Sequence, residues 1–114
     1  MLFRSRRLHA RFARHFVYNV GDLALAAAHA RAAASVGDEA NARIMLDAAE
    51  ALITTSAVDA ADLALQAFRT LRPGQPQWLE LGERAVSVLS RTQRAADTIA
   101  VADLLLAKIG RAHV

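Results

Sequence analysis

Between Gly37 and Arg72 the polar residues fall on narrow stripes, and almost everything else is apolar. Glu39, Arg43, Asp47, Glu50 and Thr54 recur at steps of four and three, as one side of an α-helix does. After a short Thr/Ser turn, Asp59, Asp62, Gln66 and Arg69 repeat the pattern. Ala, Leu, Ile, Met, Val and Phe fill most of the other positions. Each helix therefore carries an apolar surface wider than a lone surface helix needs. Such a helix must have packed neighbours on two sides.

The rest of the chain extends this arrangement. Hydrophobic residues make up 54% of the 114 residues but aromatics only 5%, because Ala dominates. Ala is the strongest helix former, and its small side chain lets helices approach closely. No stretch alternates apolar and β-branched residues with polar ones over several positions, so strands are not expected. The absence of Cys excludes disulfides and thiolate metal sites and fits a reducing cytoplasm. No run reaches the roughly 20 apolar residues of a membrane span.

Six helices are expected. Arg6 to Tyr18 is basic and amphipathic, with Leu8, Phe12 and Phe16 on one face and Arg6, Arg7, Arg11 and Arg14 around the rest. An acid-free, Arg-rich start can serve as a transit peptide or membrane-surface helix, but it also suits a packed helix with a solvated basic face, the reading adopted here. Asn19 to Asp22 is a turn ending in a helix N-cap. The next helix, Leu23 to Ser35, is apolar apart from His29, Arg31 and its last residue, and is expected to be the most buried. Val36-Gly37-Asp38 is a second such turn. It leads into Glu39 to Thr54, where Glu39 and Arg43 form an i,i+4 pair worth a few tenths of a kcal/mol. Ser56 and Asp59 make a capping box for a helix that must end by Arg72, before Pro73-Gly74. Pro76 suits a first helical turn, and Trp78 to Arg91 follows with Trp78, Leu81, Ala85, Val88 and Leu89 as its apolar face. A turn at Thr92-Gln93 precedes Arg94 to Ala107, with Asp97 exposed and Ile99, Val101 and Leu104 to Leu106 for packing.

A recurrence suggests how these helices are arranged. Asp22-Leu23-Ala24-Leu25 returns as Asp62-Leu63-Ala64-Leu65, and more loosely as Asp103-Leu104-Leu105-Leu106, at separations of 40 and 41 residues. That is the length of a helical hairpin in a repeat array, where stacked hairpins share one continuous core. Trp78-x-x-Leu81-Gly82 matches the opening of the tetratricopeptide signature, although Ala85 stands where that signature has Tyr. Gly within a helix costs about 1 kcal/mol relative to Ala, so Gly82 implies close approach of a neighbouring helix. The expected fold is all-α: antiparallel helical hairpins stacked as a short, tetratricopeptide-like α-solenoid, with a compact bundle as the rival arrangement.

Few residues suggest chemistry. Gly21, Gly37, Gly74 and Gly82 are isolated, with no phosphate-binding loop around them. His9 and His15 fall on different sides of a helix. His29 stands alone on an apolar helix, as a core or groove histidine does. Asp47 and Glu50, and Asp59 and Asp62, belong to regular polar stripes, and Trp78 opens an apolar face. No residue is assigned a catalytic, cofactor-binding or metal role, and no cofactor is expected.

The two ends have a separate identity. Ile109-Gly110-Arg111-Ala112-His113-Val114 resembles a translated short-read sequencing adapter, and Met1-Leu2-Phe3-Arg4-Ser5 resembles the translation of its reverse complement. Residues 1–5 and 108–114 are accordingly set apart as expected adapter-derived scars, leaving 6–107 as a tetratricopeptide-like fragment. Of the 14 basic residues, Arg4, Lys108 and Arg111 lie in those stretches and none of the 11 acidic ones does, so 6–107 has 11 of each. The formal charge of +3 then carries no nucleic-acid argument.

Several segments together resemble a known family. Arg6-Arg7-Leu8-His9-Ala10-Arg11 with Ala13, Ala28-His29, Gly37-Asp38 with Ala42, Leu46-x-Ala48-Ala49-Glu50-Ala51 and Leu81-Gly82-Glu83-Arg84-Ala85 are similar to the helical region of large bacterial LuxR-type regulators of the signal-transduction ATPase class. The resemblance spans most of 6–107. It implies a non-catalytic scaffold or sensor segment of a cytoplasmic transcriptional regulator, contacting a protein partner or neighbouring domains. It implies no direct contact with nucleic acid and no membrane association. Self-association through uncapped faces near Phe12 and Leu104 is also expected. The alternatives are a free-standing adaptor binding a partner peptide and an accessory fragment of an enzyme.

Overall fold

The computed structural model describes residues 8, 23–33 and 35–112. Among the described residues five helices pack together: α1 Leu23–Ala33, α2 Glu39–Leu52, α3 Ala57–Thr70, α4 Trp78–Arg91 and α5 Ala95–Ala112. Among the described residues there is no strand. The expected helix from Arg6 to Tyr18 lies outside them apart from Leu8, which is helical and exposed.

Local chemistry sets most of the boundaries. Asp38 caps α2, its carboxylate accepting the Asn41 backbone N–H at 3.1 Å and the Asn41 side-chain amide at 2.9 Å. Asn41 is buried, so this pair satisfies polar atoms that would otherwise be stranded in the core. Ser56 precedes α3, but its hydroxyl donates to the Asp59 carboxylate at 2.7 Å and makes no cap bond to the backbone. The capping box expected there is a side-chain pair instead. α3 stops at Thr70 rather than Arg72 because Leu71 is already extended and Arg72, preceding Pro73, is pushed out of the helical region. Pro76 falls in the turn before α4, whose bounds match those read from the sequence. α5 runs on past Ala107 to Ala112, since neither Lys108 nor Gly110 is enough to end it.

α4 ends in a Schellman motif. The Gln93 N–H donates to Ser90 and the Arg94 N–H to Leu89, with Gln93 at φ 61°. A side chain in the left-handed region costs about 1 kcal/mol, which glycine avoids. Gln93→Gly is therefore expected to stabilise the fold by about 0.5–1 kcal/mol, after allowing for glycine's larger unfolded-state entropy. Urea denaturation will show this as a higher midpoint at unchanged slope.

Chain direction follows from contacts at the helix ends. The Gly37 N–H, just before α2, donates to the Thr70 carbonyl at the end of α3 at 2.6 Å, so these two helices are antiparallel. Gly37 has φ 90°, a conformation suited to glycine. Its carbonyl accepts from the Gln75 side chain at 2.7 Å, while the Gln75 oxygen accepts from the Arg72 N–H at 2.7 Å. One glutamine thereby ties the α3–α4 connection to the turn before α2. The rings of Phe68, near the end of α3, and Trp78, opening α4, lie 5.6 Å apart. α4 thus runs antiparallel to α3 and parallel to α2. α5 folds back on α4 after the Thr92-Gln93 turn.

The main packing is between helices adjacent in sequence, with α2 also against α4. The core is built largely from alanine, including Ala42, Ala48, Ala49, Ala60, Ala64 and Ala67, with Met45, Leu46, Leu63, Leu81 and Leu89 as its largest fully buried aliphatic side chains. Among the described residues α2 and α3 each carry seven buried residues, while α1, expected to be the most buried, leaves Leu25 38% exposed. Among the described residues α2 packs on three helices, α1, α3 and α4, and α1 packs on α2. Neighbours on several faces, rather than apolar content alone, bury a helix.

The recurring tetrapeptides fall on alternate helices of the described fold. Leu23 to Leu25 lie in α1, Asp62 to Leu65 in α3 and Asp103 to Leu106 in α5.

Candidate docking surface

Two features stand out: a charged seam between α2 and α4, and an apolar groove between α4 and α5. The seam is formed by the polar stripe of α2. Glu39 Oε1 accepts the Gln77 N–H at 3.2 Å, Arg43 lies 3.7 Å from Glu80, and Asp47 and Glu50 converge on Arg84. Successive positions down α2 meet successive positions down α4, as two parallel helices in register require. The Glu39–Arg43 pair expected within α2 is not the arrangement found, because both side chains turn to the neighbouring helix.

Arg84 is the centre of this seam. Its Nη2 donates to Asp47 Oδ1 at 2.7 Å and to Glu50 Oε1 at 2.6 Å, and its Nε donates to Glu50 Oε2 at 3.1 Å. The Glu50 hydrogen bonds raise the guanidinium pKa above the ordinary arginine range; burial opposes the shift and Asp47 adds to it. Arg84 stays charged at any working pH. All three side chains retain contact with water, so the cluster stabilises far less than a buried one would. Replacing Arg84 with Gln leaves Asp47 and Glu50 as neighbouring like charges and is expected to cost about 1 kcal/mol. Repeating the denaturation in 1 M salt should shrink the difference between wild type and variant, because screening weakens what Arg84 supplies.

Arg94 makes a second, more exposed link, to Asp97 within its own segment at 2.8 Å and to Asp62 of α3 at 3.2 Å. Asp97, expected to be exposed, is half-buried in this pair. Asp59 is engaged with Ser56. The carboxylates considered as pairs from the sequence are thus tied into the architecture. His29 is half-buried on α1, and His9 and His15 lie outside the described residues.

The groove follows from the width of α5's apolar arc. Val101 and Leu105 are buried, but Ile99, Leu104 and Leu106 are exposed by 60%, 56% and 62%. Their expected packing is therefore corrected: α4 covers only the middle of the arc. An exposed face was also expected near Leu104, and that residue is exposed. On α4, Leu79 and Val86 lie outside the buried set Trp78, Leu81, Ala85, Val88 and Leu89, and they line a depression of about 250 Å³ with Ala102, Leu105, Leu106, Ile109 and Glu83. A larger one of about 500 Å³ adjoins it, lined by Pro73, Gln75, Pro76, Trp78, Leu79, Lys108 and Ile109. Sharing Leu79 and Ile109, the two form one surface. Lys108 and Ile109 belong to the carboxy-terminal stretch set apart above.

Leu79 and Val86 could have been noticed from their i,i+7 spacing on the flank of α4. Nothing in the sequence says whether a neighbour covers that flank. The groove is nearly all hydrocarbon, with Glu83 and Lys108 its charged residues, so it suits the apolar side of another helix. Among the described residues no group of three or more His, Cys, Asp or Glu is placed to hold a metal, and no helix is long and apolar enough to cross a membrane. No family model matches this chain, and no curated protein or solved structure matches it.

Proposed function

We propose that the chain is a non-catalytic helical-repeat scaffold, a short tetratricopeptide-like α-solenoid that makes protein–protein or intramolecular regulatory contacts. The observation that carries this reading is the α2–α4 seam. Two antiparallel hairpins, α2–α3 and α4–α5, lie side by side with their first helices parallel and in register. Solenoids stack in this way, each unit touching mainly its neighbours, whereas a closed bundle brings more distant helices together around one axis. The part of the groove lined by Leu79, Val86, Ala102, Leu105 and Leu106, within residues 6–107, is the contact surface in this reading.

The larger setting rests on the resemblance to LuxR-type signal-transduction ATPases. In that setting the segment is part of a cytoplasmic, ATP-dependent transcriptional regulator, and it transmits or restrains conformational change without itself touching nucleic acid. Recovering the complete gene tests this. A phosphate-binding loop encoded upstream and a helix-turn-helix downstream are expected. A reading frame without either would overturn the regulator assignment and leave a free-standing adaptor, a reading that the open groove also supports.

A further inference from the structure

We draw no further inference here: the strongest candidate, the apolar groove between α4 and α5 edged by Glu83 and Lys108, is the surface already described, and nothing in the structure shows what covers it.

Discussion

Trp78→Ala is expected to lower the stability of the fold by about 3–5 kcal/mol, the usual cost of emptying a buried aromatic site. Trp78 is 4% exposed, packs its ring against Phe68 of the first hairpin and opens α4, the first helix of the second. Removing it leaves a cavity at the point where α3 passes into α4. Domains of this size are stable by about 5–15 kcal/mol in total, so the loss takes a large share. The midpoint of thermal unfolding should fall by roughly 15 °C or more. Far-ultraviolet circular dichroism is the suitable measurement, since the variant loses the only tryptophan and its fluorescence. A loss below 1 kcal/mol would show that Trp78 does not join the hairpins as described. Trp78→Phe keeps most of the apolar volume and should fall well short of the alanine effect.

Gly82→Leu should have an effect of similar size through the opposite fault, too much volume in place of too little. A Cβ added at Gly82 would lie 2.5 Å from a Leu105 methyl carbon and 3.1 Å from the Phe68 ring. Even alanine must push Leu105 aside. Its gain of about 1 kcal/mol in helix propensity is opposed by about 1–3 kcal/mol of overpacking, so a small net loss is expected. Leucine adds three more carbons and has to lift α5 off α4, at a cost of about 3 kcal/mol or more. Leu105→Ala opens the space that the new side chain needs. Gly82→Ala combined with Leu105→Ala should therefore be less destabilised than the sum of the two single variants. Strict additivity in that cycle would show that Gly82 and Leu105 are not in contact.

Gly82 also illustrates what could be read from residues alone. A helix tolerates glycine at a cost, so its presence within an apolar face announced a close neighbour before the neighbour was known. The buried face of α4 was legible for a related reason: Trp78, Leu81, Ala85, Val88 and Leu89 recur at helical spacing, and all five are buried. Asp38 announced its cap because an aspartate before an apolar helix has unpaired backbone N–H groups to satisfy. The candidate surface was only half legible. Ile99, Leu104 and Leu106 were expected to pack, with an open face also expected near Leu104, and all three are exposed. Apolar character is the same whether a residue is covered or bare.

Local sequence chemistry sets the five described helices, most of their limits and the side each turns to the core. These depend on interactions within a few residues: the 3.6-residue period, capping groups, and proline and glycine at the breaks. Tertiary structure alone decided that the charged stripe of α2 is a seam, that Arg84 and not Arg43 holds Asp47 and Glu50, and that the outer side of α5 stays open. The seam and the Arg84 cluster depend on the register between segments more than 30 residues apart. A stripe of charges has the same spacing in water as against a second helix. Only the position of that helix distinguishes the two.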